Sequence, residues 1–414
     1  MSRVTVVGGG VVGACCAYYL AKAGCRVTVL DRGRFGAGCS HANCGYVCPS
    51  HVLPLAVPGA IWDTLRTLLR RNSPLKVKPG VVLRDPGWFL RFARKCNARD
   101  MTTAAGGIRA LLDSSRTLFD ELIRTESLDC EWVTRGLLFV FQTAAAMDHY
   151  AEVDRLLRDQ FQTAAEPFDS QQLEKLEPAL KPGLGGGWLY RSDAHLRPDR
   201  LMSELRRVLV GMGVAIHENS PVSRIVSEGR QVRAVATPAG EHDADHVVLA
   251  AGAWTPEFAN AVGCRVPVQP GKGYSVTFPA SATDPTYPMI FEEHRVAVTP
   301  FRSGFRVGST MEFGGYDATL NRDRLKLLTE GAALYLRNPP TGEPTEEWWG
   351  WRPMTPDGLP LLGLAPAADN LWVAAGHNML GLSMAPATGK LVAELVTGEK
   401  PHVDPAAYSP GRFG

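Results

Sequence analysis

The chain has 414 residues, 45% of them hydrophobic and 21% charged, with a formal net charge of +2. That length suits two domains around a shared cleft, and the near-neutral charge gives no field that would select nucleic acid. The opening MSRVTVVGGG lacks a signal-peptide pattern, no run approaches the roughly 18 apolar residues of a membrane span, and nine irregularly spaced cysteines suggest reduced thiols in a cytoplasmic protein.

At the N-terminus, VTVV over 4–7 reads as a buried parallel strand. Gly8, Gly10 and Gly13 follow in G-x-G-x-x-G order. A helical stretch opened by Val11 and Val12 runs to Gly24, and RVTVL leads to Asp31 and Arg32. The first glycine permits the tight turn, the second lets backbone approach a pyrophosphate, and the third allows close helix–strand packing. The helix N-terminus faces the phosphates, and Asp31 accepts from a ribose hydroxyl. This unit predicts a bound dinucleotide without separating FAD from NAD.

Next, GCSHANCGYVCPS offers Ser40, His41, Asn43 and Gly45 to the cofactor, with Tyr46 and His51 placed to line a pocket. Cys39, Cys44 and Cys48 are separated by four and three residues, a poor match to C-x-x-C metal spacing, so no metal is expected there. IWDTLRTLLRR at 61–71 and WFLRFARK at 88–95 are basic and amphipathic. They suit either an anionic membrane surface or plain packing on the core. Helical and strand patterns alternate through 81–194, a hairpin is expected at 221–235, and DHVVLAAGAW (245–254) is a strand ending at Ala251 and Gly252. Strands with turns fill 266–344. At 371–389 the strand LWVAA enters a turn, Gly376 to Gly381, and then a helix. Backbone N–H groups of Gly376, His377, Met379, Leu380, Gly381 and Leu382 would face the electron-rich edge of an isoalloxazine. A nicotinamide enzyme has no need of such a returning element, so the dinucleotide is expected to be FAD.

Together with PVQPGKGYS (267–275), WGWRPMTPDGLPLLG (349–363) and GHNMLGLSMAPATG (376–389), these segments resemble the FAD-dependent D-amino-acid oxidase and glycine oxidase superfamily, most of all bacterial D-amino-acid dehydrogenases. The resemblance runs nearly the full length. It implies an α/β plus α+β architecture: a Rossmann-like FAD-binding domain over 1–80, 195–265 and 345–414, interleaved with a mainly antiparallel β-sheet substrate domain over 81–194 and 266–344. It also implies an adenine contact near Val222. FAD is expected to be non-covalent, because the position of the flavin-linking histidine in some relatives falls at Ala42, one residue from His41. Arg352 is the expected carboxylate anchor, with Tyr274 sharing that carboxylate. The implied reaction oxidises the Cα–N bond of a D-amino acid, D-proline or hydroxy-D-proline types included, by hydride transfer to flavin N5. Electrons then pass to a quinone or other acceptor. A glycine- or sarcosine-type oxidase using O₂ and a non-catalytic FAD-binding subunit stay open.

Overall fold

Val4, Val6 and Val7 are buried because the Arg3–Val7 strand is flanked on both edges, in parallel with Arg26–Leu30 and with His246–Leu249. A strand covered on both faces reads as an unbroken β-branched run. The computed structural model describes residues 1–62 and 73–414. Its first sheet has six strands in the order Leu361–Leu364, Leu371–Ala375, His246–Leu249, Arg3–Val7, Arg26–Leu30, Ala215–His217, parallel except at the Leu361–Leu364 edge. The helix Val11–Lys22 leads from the first strand to the second and turns off at Gly24, whose φ of +81° costs a glycine nothing. Its buried face is small (Gly13, Ala14, Cys15, Cys16, Ala17), which lets the C-terminal helix Gly381–Thr397 come close. A Cβ on Gly389 would lie 2.5 Å from the Cys15 carbonyl oxygen. The 29-residue helix Ala98–Glu126 packs along that C-terminal helix, and Ser115 Oγ accepts from the Ala387 N–H at 3.0 Å beside Pro386.

The second sheet is mainly antiparallel. Its order is Glu346–Met354, Gln269–Phe278, Gly304–Phe313, Val296–Phe301, Met289–Phe291, Leu137–Phe141, Gly186–Tyr190, Glu166–Phe168, and Leu75–Val77 also pairs Gly304–Phe313. The hairpin expected at 221–235 is present as Arg224–Glu228 and Gln231–Thr237, joined by Gly240–Asp243 in a separate small sheet. Sheet membership departs from the segment limits drawn from sequence. Glu346–Met354 and Leu75–Val77 join the nine-stranded sheet although they fall in segments assigned to the cofactor side. Conversely, Ala98–Glu126 packs on the cofactor-side helix.

No helix among the described residues is long and apolar enough to cross a membrane. The amphipathic stretch at 61–71 lies, from residue 63 on, outside the described residues. The 88–95 stretch forms the helix Pro86–Lys95, and its aromatic side turns inward. Trp88 stacks on Phe92 at 5.5 Å and reaches the carbonyls of Pro267 and Met354 from Nε1 at 3.1 Å each. That side is packed against the core. All nine cysteines are free thiols.

Candidate active site

Backbone crowding explains the glycines of the first turn. Gly8 has φ +110°, and a Cβ there would stand 2.4 Å from the Ala250 carbonyl oxygen; one on Gly13 would stand 1.9 Å from the Gly8 oxygen. Gly10, the N-cap, has no side chain, so beyond the Val11 N–H the N–H groups of the first turn, Val12 included, are left for a ligand phosphate. The Val11 N–H donates to Ser40 Oγ at 2.9 Å. Asp31 accepts from the N–H groups of Gly9 and Gly33 at 2.7 Å each, which fixes its carboxylate at the strand tip with lone pairs to spare for a ribose. Arg32 lies over the Trp254 ring at 4.9 Å and faces Glu257 at 3.6 Å. Ala251 and Gly252 leave the same end of the sheet, and Val222 packs with the cluster that holds Val7 and Leu30. The residues present fit a dinucleotide.

The 39–46 loop ties the two sheets together. Its Ala42 and Cys44 carbonyls accept from Ser275 Oγ and Thr299 Oγ1 at 2.7 Å each, and its Asn43 carbonyl accepts from Arg306 at 2.9 Å. Asn43 Oδ1 accepts from the Gly45 N–H at 2.9 Å, and Gly45, at φ +75°, backs directly onto the Leu196 carbonyl. His41 Nε2 meets Glu346 Oε1 at 2.6 Å, and the fully buried Arg306 meets Oε2 at 3.3 Å. His41 thus points at the nine-stranded sheet.

The returning element has the expected form. Leu371–Ala375 enters a turn in which Gly376 and Asn378 take φ of +77° and +53°. The Asn378 side chain donates to Thr355 Oγ1, Gly358 O and Gly376 O at 2.9–3.0 Å and accepts from the Thr355 N–H at 2.9 Å. One residue thereby fastens this turn to the T-P-D-G segment after Arg352. His377 is buried and bonds Thr388 Oγ1 at 3.0 Å; burial drops its pKa from 6.5 to about 3, so the ring is neutral. Leu380 and Gly381 begin the C-terminal helix, whose N-terminus has no side-chain cap. Leu382 is buried and Met379 stays 47% exposed.

Arg352 stands opposite Gly271 on the neighbouring strand, and its guanidinium lies on Gly273, where a Cβ would fall 2.4 Å from Cζ. The alternating glycines of P-G-K-G-Y open that strip. Nη1 donates to the Thr310 carbonyl at 2.8 Å, and among the described residues no carboxylate is within ion-pair distance. That carbonyl is presented by a bulge in which Ser309 and Thr310 take φ of +103° and +50°, strained for residues with side chains. Burial lowers the Arg352 pKa from 12.5, while the nearby Cys39 and Cys44 thiols pull the other way. A guanidinium stays charged regardless, and a buried cation lacking a protein anion favours an anionic ligand.

Two sequence expectations are corrected here. Tyr274 does not share a carboxylate with Arg352. Neighbouring strand residues face opposite sides, and with Gly273 under the guanidinium, Tyr274 points to the other face. Its hydroxyl donates to Glu312 Oε2 at 2.8 Å, and Lys272 Nζ sits 5.4 Å over its ring. His51 packs against Phe139 with ring centroids 5.6 Å apart, on a strand five places along the sheet from that of Arg352, and no contact joins it to the guanidinium. The Tyr46 hydroxyl is likewise engaged by the Met289 and Val298 carbonyls, at 2.8 and 2.9 Å. Sequence reasoning missed Asn378 and Gly273. An Asn beside glycine in a turn and a G-x-G within a strand were the available signals.

A dinucleotide cradle closed by the chain's own C-terminal turn is the layout of a two-domain flavin oxidoreductase. The family model for FAD dependent oxidoreductases matches residues 3–395, and the chain belongs to that family. It is 34% identical over 423 residues to a D-amino acid dehydrogenase of Methylobacterium nodulans (strain LMG 21967 / CNCM I-2342 / ORS 2060), covering 99% of both chains. To a D-amino acid dehydrogenase of Allorhizobium ampelinum (strain ATCC BAA-846 / DSM 112012 / S4) it is 32% identical over 424 residues, covering all of both. Among solved structures, glycine oxidase from Geobacillus kaustophilus superposes with a TM-score of 0.80 at 24% identity, covering 100% of this chain and 99% of that one. L-proline dehydrogenase from P. horikoshii gives 0.76 at 18%, covering 100% and 97%. At these identities the two structures speak for the fold. The protein is an FAD-dependent oxidoreductase.

Proposed function

We propose that this enzyme oxidises the Cα–N bond of a D-amino acid, secondary amines of the D-proline type included. The imine formed is hydrolysed to a 2-oxo acid when the amine is primary, and the electrons go to a quinone or another acceptor rather than to O₂. The observation that carries this reading is the buried Arg352 guanidinium, bonded to the Thr310 carbonyl and to no described carboxylate. Full-length similarity to proteins named D-amino acid dehydrogenase supports the substrate class and the acceptor.

FAD, when bound, supplies the hydride acceptor. Arg352 has five N–H donors, and the Thr310 bond uses one while fixing the plane of the fork. The remaining edge can take both oxygens of an α-carboxylate, and the dry surroundings strengthen that pair. Gly271 and Gly273 keep the strand beneath free of side chains. The guanidinium keeps its proton throughout, so its part is binding and orientation.

The test is Arg352→Met. Bonds to charged groups are worth about 1.5–3 kcal/mol each, so losing a bidentate pair should cut the efficiency of flavin reduction by D-amino acids roughly 100–10,000-fold. FAD content should stay at the wild-type level. Unchanged affinity for D-amino acids would refute the anchor.

A further inference from the structure

We propose that Cys48, His51 and Asp193 form a binding site for a divalent ion of the zinc class, at the end of the cofactor loop and sharing no ligand with the flavin-facing turn or with Arg352. Cys48 Sγ, a His51 ring nitrogen and an Asp193 carboxylate oxygen all lie within 4.8 Å of one another. Ligand atoms around one tetrahedral zinc, with bonds of about 2.0–2.3 Å, stand roughly 3.3–3.8 Å apart, so small side-chain rotations close the set. Cys48 and Asp193 are buried and His51 is half-buried.

The backbone prepares this arrangement. Cys48-Pro49-Ser50-His51 is a single turn closed by the His51 N–H on the Cys48 carbonyl at 3.1 Å. It places two candidate ligands three residues apart on one turn. Asp193 comes from a distant turn, whose N–H donates to Tyr190 O at 3.3 Å, so no spacing in the sequence announces it. Ser50 supplies an outer layer of support. Its Oγ donates to Asp193 Oδ2 at 2.5 Å and lies 3.4 Å from His51 Nδ1, and its N–H donates to Asp193 Oδ1 at 3.1 Å. Such partners orient ligands and fix the imidazole tautomer. Cys48 is held from behind by its N–H on Ser383 Oγ at 3.3 Å, and the His51 ring rests on Phe139.

A thiolate, an imidazole and a carboxylate together suit Zn²⁺ over Mg²⁺ or Ca²⁺, which take oxygen donors. Binding releases the Cys48 thiol proton to solvent and moves no electrons. Three protein ligands leave the fourth position to water. The ion would clamp the end of the cofactor loop to the turn that carries Asp193. Cys39 and Cys44, which flank Arg352, lie outside this set.

The test uses the full-length FAD-loaded protein, treated with chelator and titrated with Co²⁺ and then Zn²⁺. The expected result is one equivalent bound, with thiolate-to-cobalt charge-transfer absorption in the difference spectrum that Zn²⁺ displaces. Cys48→Ser should abolish that absorption, and Ser50→Ala should weaken binding about 10–100-fold. Cys264→Ser, a thiol elsewhere in the molecule, should change neither. The flavin spectrum reports folding of each variant; if Cys48→Ser fails to fold, His51→Asn serves in its place. Absence of a saturable signal, or a signal that survives Cys48→Ser or its substitute, would overturn the proposal.

Discussion

One strand step separates Gly273 from Tyr274, and that step sends them to opposite faces of the sheet. Gly273 lets the Arg352 guanidinium lie flat against backbone, whereas Tyr274 closes a hydrogen bond to a carboxylate that is only 2% exposed. The consequence is measurable. Tyr274→Phe should lower stability in denaturant by about 1–3 kcal/mol, because Glu312 loses a buried donor. The KM for D-amino acids should move by less than about 2-fold, since uniform binding is untouched. A large rise in KM with unchanged stability would put the hydroxyl back in the pocket. The K-G-Y-S run was legible in the sequence, but the parity of Tyr274 relative to Arg352 was not. Parity depends on the register between strands some 80 residues apart, set by long-range pairing.

At the scale of elements, the first βαβ unit was readable because its determinants are local: glycine spacing, a β-branched run and an acid at the tip. The returning turn was readable for the same reason. What the sequence did not disclose was the sheet that Glu346–Met354 joins, since a strand pattern names no partner. Asn378 links these two elements and can be tested directly. Alanine and glycine at 378 both remove the bonds to Thr355 and Gly358, but only alanine adds strain at φ +53°. Asn378→Ala should therefore melt below Asn378→Gly, by an amount equivalent to about 1 kcal/mol. Equal melting temperatures would mean that the turn relaxes out of the left-handed region.

Across the whole molecule, burial has a titration signature. His377 is held neutral in the folded state with its pKa at about 3, against 6.5 when unfolded, and burial is the cause. Between those values the unfolded chain binds a proton that the folded chain does not, so stability falls as pH drops from about 6.5 toward 3. His377→Asn removes this term. The difference in melting temperature between wild type and variant should accordingly shrink from pH 8 to pH 5; a constant difference would contradict the buried neutral ring.

The cofactor-side motifs were legible along the 414 residues, while the burial of Arg352 beside Thr310, rather than beside an acid, had to be seen in three dimensions. That cation bears on substrate chemistry, and substrate chemistry can be observed directly. Anaerobic mixing of the FAD-loaded protein with paired D- and L-enantiomers, glycine and sarcosine, followed by flavin absorbance, should show bleaching by D-amino acids and little by the rest. Bleaching by L-enantiomers or by glycine and sarcosine alone, or by none of them, would contradict the assignment.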